Sequence, residues 1–204
     1  MRFRVKKLLT PFVLMAAPFL LINGFTVLGL GAWRTAGIEL LLLPALVAFV
    51  TLVAALFISL SSRYRPQALN MVATSLGIVL GCVFGAIVGR ELRMYAFELA
   101  ATRAAPLVAA VSAYEKDHGV PPRTLEELVP AHLPKLPDRL PPLRLVSGEV
   151  ATREYQGNPW VLVALVPGGL INWDTFLYLP KQNYPATGYG GALQRIGDWA
   201  YVHE

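Results

Sequence analysis

PQALNMVATSLGIVLGCVFGAIVG, residues 66–89, runs without a turn residue into RELRMYAFELAATRAAPLVAAVSAYEKDHG, residues 90–119. The first stretch carries no charge and is long enough to cross a hydrocarbon core of about 30 Å, which takes about 20 helical residues. In the second, Phe97, Ala100, Ala104, Leu107, Val111, Tyr114 and His118 recur at steps of three and four, the stripe of an amphipathic helix. One helix from about 67 to 118 follows, roughly 75 Å long at 1.5 Å per residue, leaving the bilayer at mid-length. Pro106 should interrupt it and Gly119 should stop it, ahead of Pro121 and Pro122.

Upstream, residues 8–33 and 40–62 also lack Asp, Glu, Lys, Arg and His, so the sequence reads as three membrane spans over 1–89 and a soluble domain over 90–204. Pro11, Pro18 and Pro44 bend spans without preventing insertion. A cleaved signal peptide is the alternative for the first span. Its apolar region exceeds the usual 7–15 residues, and Pro18 follows its best small-residue site, near Ala16-Ala17. Gly77, Gly81, Gly85 and Gly89 mark one face of the third span with small residues, suited to close helix packing. That packing is expected against this chain's own spans or, alternatively, in a homo-oligomer.

Charge gives the orientation. Arg2, Arg4, Lys6, Lys7, Arg34, Arg63 and Arg65 face one acid, Glu39, in the first 65 residues, whereas eleven basic and twelve acidic residues follow from Arg90 onward. The formal charge of +5 and pI near 9.5 therefore come from the flanks of the spans. A nucleic-acid partner is excluded, because its footprint would place the basic residues in the soluble part. Basic flanks stay in the cytoplasm. The N-terminus and the loop 61–65 are thus cytoplasmic, and the C-terminal domain is extracytoplasmic, periplasmic in a bacterial inner membrane.

The soluble sequence first shows Thr124-Leu125-Glu126-Glu127, a capping box opening a short helix that ends at Pro130, with Leu125 and Leu128 turned inward. Leu143–Val146, Val150–Tyr155, Trp160–Val166 and Thr175–Leu179 then read as strands between Gly, Pro and Asn turns. Three or four antiparallel strands on one long helix make an α+β domain. Residues 180–204 carry aromatics and glycines with little periodicity.

With Ala110–Pro121, the stretch Thr124–Pro130 and the Asn158-Pro159-Trp160 turn, this chain resembles the pilin fold, and most of all the major pseudopilin of type II secretion. The resemblance is good over about 70–130, weak over 140–180 and absent before 65. It implies a pilin-like fold and a place in an envelope or secretion-related assembly. The family's leader is cut before a Phe, with Glu at the fifth mature position. Gly24-Phe25-Thr26-Val27 echoes that site, but the fifth position is Gly29 and the site lies inside a span. Two additional spans argue against extraction into a filament. The family's calcium loop has no counterpart, since Asp174 and Asp198 stand apart where a hard cation needs clustered oxygens.

Chemistry is sparse. Cys82 is the only cysteine and lies in the third span, so neither an intramolecular disulfide nor a thiolate metal site is possible. His118, His132 and His203 have no zinc-type spacing, although His118 and His132 flank the short helix near Asp117 and Glu127. Ser112 and Ser147 lack a base partner, and Gly188-Tyr189-Gly190-Gly191 lacks the Lys-Ser/Thr of a phosphate loop. Neither a catalytic nor a cofactor or metal site is expected.

Aromatics crowd the tail instead. Trp173, Tyr184, Tyr189 and Trp199 are the candidate partner-binding residues, the alternatives being a small core that needs these rings or an interfacial belt at the membrane. Alternation over 172–178 places Trp173, Thr175 and Leu177 on one face, with Asp174, Phe176 and Tyr178 on the other. The expected function is a non-catalytic, membrane-anchored interaction module whose partners are the lipid bilayer and another envelope protein. The alternative is a cell-envelope enzyme or transporter accessory acting on cell-wall or lipid material through the tail.

Overall fold

A computed structural model describes residues 2–31, 33, 42–168, 173–186 and 189–203. The chain is α+β, with long apolar helices and a five-stranded antiparallel sheet. It forms two compact units, Met1–Gly24 with Ala36–Arg93, and Phe25–Thr35 with Met94–Glu204.

In the first unit lie most of α1 (Arg2–Val27), α2 (Leu42–Ile58) and the start of α3 (Arg65–His118). α1, over Val5–Val27, and α3 are long and apolar enough to cross a membrane, whereas α2 is shorter. The part of the second expected span before residue 42 lies outside the described residues. Leu14, Leu21, Leu46, Val47, Phe57 and Ile87 are all exposed, so apolar side chains cover the outside of this unit.

The glycine stripe is covered by α1 of the same chain. A Cβ at Gly77 or Gly81 would strike the carbonyl oxygens of Leu8 and Phe12, and one at Gly89 would come 2.9 Å from the Asn23 amide. Of the two expected uses of the stripe, packing within the chain is the one that the described residues show.

The first apolar run does not stay helical to residue 33. α1 ends at Val27, and Gly29 and Gly31 follow at φ +71° and +105°, conformations that glycine adopts without strain. Trp33, counted with the span by its hydropathy, is buried in the second unit, its ring 5.6 Å from that of Phe97.

α3 is continuous over residues 65–118 and passes through Pro106 without ending. The expected stripe is its core face. Phe97, Ala100, Ala104, Leu107 and Val111 are all buried, while Tyr114 and His118 emerge toward the end. Gly119, at φ +75°, terminates the helix as expected.

The capping box forms only in part. Leu125–Leu128 is a single 3-10 turn rather than an α-helix, and the Thr124 side chain caps nothing. Glu127 instead accepts the Arg123 N–H at 3.0 Å and the Tyr114 hydroxyl at 3.3 Å, so its carboxylate reaches past Thr124. Leu128 is fully buried and Leu125 half-buried, as expected.

β1 (Arg144–Ser147), β2 (Trp160–Leu165), β3 (Thr175–Tyr178), β4 (Ala192–Ile196) and β5 (Trp199–His203) form one sheet in the order β1-β2-β3-β5-β4. The segment expected as a strand over 150–155 is instead a short helix, α4 (Glu149–Glu154). A strand there would bury either Val150, Thr152 and Glu154 or Ala151, Arg153 and Tyr155, a charge either way. A helical turn puts Ala151 and Tyr155 on one face and leaves the charges outside. β4 and β5, joined across Gly197-Asp198, were not expected. Gly-Asp between two short apolar runs is a two-residue hairpin signal.

Both faces of the sheet are covered. Trp160, Leu162, Ala164, Phe176, Trp199 and Tyr201 meet α3, while Val161, Val163, Leu177, Ala200 and Val202 meet Ala151, Tyr155, Tyr184 and Tyr189.

Candidate functional site

The four aromatic candidates are dispersed. Trp199 is buried against the Phe176 ring, centroids 4.6 Å apart and nearly parallel. Tyr189 packs on the second face of the sheet, 5.5 Å from Tyr155. Tyr184 lies beside it as a structural anchor. Its hydroxyl donates to the Asp198 carbonyl at 2.7 Å and accepts the Leu179 N–H at 3.0 Å, with the Arg195 guanidinium 3.9 Å above its ring. Burial pushes the Tyr184 hydroxyl pKa up to about 12, against weaker lowering by the Leu179 N–H and Arg195. Trp173 alone of the four is exposed, at 64%.

Beside the aromatic layer runs an open groove of about 350 Å³. Ala101, Ala105 and Ala109 of α3 form one wall, and Ile196, Asp198 and Trp199 of the β4–β5 turn form the other. The alanines are spaced one turn apart, so much of that wall carries nothing longer than a methyl, with Thr102 and Val108 beside them. Asp198, Thr102 and Tyr178 bring polar groups to a lining that is otherwise apolar.

A second arrangement was not legible from spacing. Asp174 is fully buried, and its carboxylate accepts the Gly168 N–H at 3.1 Å and the Tyr201 hydroxyl. His203 Nδ1 lies 2.9 Å from Asp174 Oδ1, with the imidazole itself 59% exposed. A carboxylate only accepts, so Nδ1 carries the hydrogen and the remote nitrogen Nε2 is the acceptor in the neutral ring. Thr175 pairs with Val202 across β3 and β5, which puts the next pair outward, Asp174 and His203, opposite each other. That register is the signal the sequence held, and it needed β5 to be recognised as a strand. Asp198, treated with Asp174 as an isolated acid, lies separately on the hairpin turn.

His118 and His132 do come together, their ring centroids 5.9 Å apart. Among the described residues no three of His, Cys, Asp and Glu converge as metal ligands. Ser112 is exposed on α3, and Ser147 closes β1. No protein-family model, curated protein or solved structure matches this chain.

Proposed function

We propose that the chain is a membrane-anchored, extracytoplasmic interaction module of the bacterial inner membrane, with a pilin-like α+β domain carried on three spans. It binds another envelope protein and performs no chemistry of its own. The observation that carries this reading is the groove between α3 and the β4–β5 turn, an apolar surface rimmed by Trp199 and Asp198. Such a lining takes up an apolar side chain or helix ridge, whereas it offers no nucleophile–base pair. A 54-residue helix whose later part packs on an antiparallel sheet supports the pilin-like element. The exposed apolar cover of α1 and α2 supports the bilayer as the other partner.

One observation favours the second reading, an envelope enzyme acting on cell-wall or lipid material. Asp174 holds the His203 imidazole by Nδ1 and leaves Nε2 as a general base toward solvent. Cross-linking in native membranes separates the two. With Ala105→Trp filling the groove, partner cross-links should disappear while the melting temperature stays near wild type. The binding reading fails if Ala105→Trp leaves every cross-link in place. It also fails if His203→Ala abolishes cellular function at unchanged abundance and cross-linking.

A further inference from the structure

The end of α3 and the loop after the 3-10 turn bring together three rings, two at helical i, i+4 spacing and one from the loop. Tyr114 and His118, one turn apart on α3, stack at 4.0 Å between centroids. His132 closes on both, 5.4 Å from Tyr114 and 5.9 Å from His118, its plane inclined at 66° to the His118 ring. His118 is exposed and His132 half-buried, so solvent reaches the pair.

The His118 tautomer is set by its surroundings. Nδ1 lies 2.9 Å from the Tyr114 carbonyl oxygen, an acceptor only, so Nδ1 donates and, in the neutral ring, Nε2 is the nitrogen with the lone pair. A backbone carbonyl on the remote nitrogen is the arrangement that orients metal-bound imidazoles and raises their basicity. A metal about 2.1 Å from an imidazole nitrogen sits roughly 3.2 Å from the ring centroid. Two centroids 5.9 Å apart can straddle one such point.

We propose that His118 and His132 form a two-imidazole site for one divalent transition-metal ion, with water completing its coordination. Imidazole donors select Cu²⁺, Zn²⁺ or Ni²⁺ over Mg²⁺ and Ca²⁺, which demand oxygen. The carboxylate of Glu127 is engaged by Tyr114 and Arg123 and is not a third ligand. Bound there, the ion staples the last turn of α3 to the loop beyond Leu128. The site is independent of the groove and of the Asp174–His203 pair.

Full-length protein without a histidine tag, purified in detergent, should be titrated with Zn²⁺ by calorimetry and with Cu²⁺ by electron paramagnetic resonance. One ion per chain is expected, with hyperfine coupling from two imidazole nitrogens. His118→Ala and His132→Ala should each weaken binding by at least about tenfold, while His203→Ala leaves it unchanged. Zn²⁺ should raise the melting temperature of wild type and of neither single variant. The spectrum of wild type needs no variant to fold, and a signal without two imidazole nitrogens overturns the proposal. So does a Zn²⁺ affinity that survives both substitutions, or the absence of saturable Zn²⁺ binding.

Discussion

A carboxylate withdrawn from water in a domain this small is costly unless every oxygen finds a donor. Asp174 has the Tyr201 hydroxyl, the Gly168 N–H and His203 around it, and so ties the β2–β3 connection to the last strand. Tyr184 does a comparable task with a neutral group, its hydroxyl joining Leu179 to the β4–β5 turn. Tyr184→Phe keeps the ring under Arg195 but leaves the Leu179 N–H without its acceptor. We expect a loss of about 1–3 kcal/mol in denaturant unfolding near pH 8. The raised pKa adds a pH signature. An unfolded tyrosine ionises near pH 10, the folded Tyr184 only at about 12. Between those values the unfolded state binds fewer protons, so the Tyr184 contribution, complete below pH 10, is lost as pH rises toward 12. The wild type should therefore lose more stability over that interval than Tyr184→Phe. Equal alkaline slopes for the two proteins would show that the hydroxyl is not buried. Neither Tyr184 nor Asp174 could be assigned its role from sequence, because their partners come from strands that pair only in the folded sheet.

At the level of elements, the sequence is most legible where one period runs long. Five positions from Phe97 to Val111 define the core face of α3, and the apolar run over 160–165, buried up to Ala164, forms an inner strand of the sheet. It is least legible where an element has one turn or five residues. Glu149–Glu154 carries both Val150 and Thr152, yet Gly148 at φ +73° turns the chain into a helix that buries Ala151. Thr124 shows the same limit. A capping box is a pattern of two reciprocal bonds, and only the glutamate's share is present, displaced onto Arg123. The typical loss of about 1 kcal/mol for an N-cap therefore does not apply. Thr124→Ala should change stability by less than about 0.5 kcal/mol, as at ordinary surface positions. Leu128→Ala, from a fully buried site, should cost about 2–5 kcal/mol. Thermal melts of the full-length variants in detergent check both, and a Thr124→Ala loss equal to that of Leu128→Ala would restore the helix cap.

For the whole molecule, the number of spans decides on which side of the membrane the second unit works. α1 and α3 are long enough to cross, and α2, with 17 residues, sits at the lower bound of about 17–25 for a spanning helix. If α2 crosses, basic residues at the N-terminus and at Arg63 and Arg65 are both cytoplasmic, and the C-terminal domain lies outside. If α2 only lies in the membrane, α1 and α3 alone return that domain to the cytoplasm. Charge favours the first arrangement, because the second would place Arg63 and Arg65 outside, against the usual bias. Alkaline phosphatase, active only after export, should therefore be active when fused at Glu204 and inactive when fused at Ser62. A fluorescent protein that matures only in the cytoplasm should give the opposite pattern. Activity of the phosphatase at Ser62 with a bright fluorophore at Glu204 would reduce the spans to two, and the groove beside α3 would then face cytoplasmic partners instead of envelope proteins.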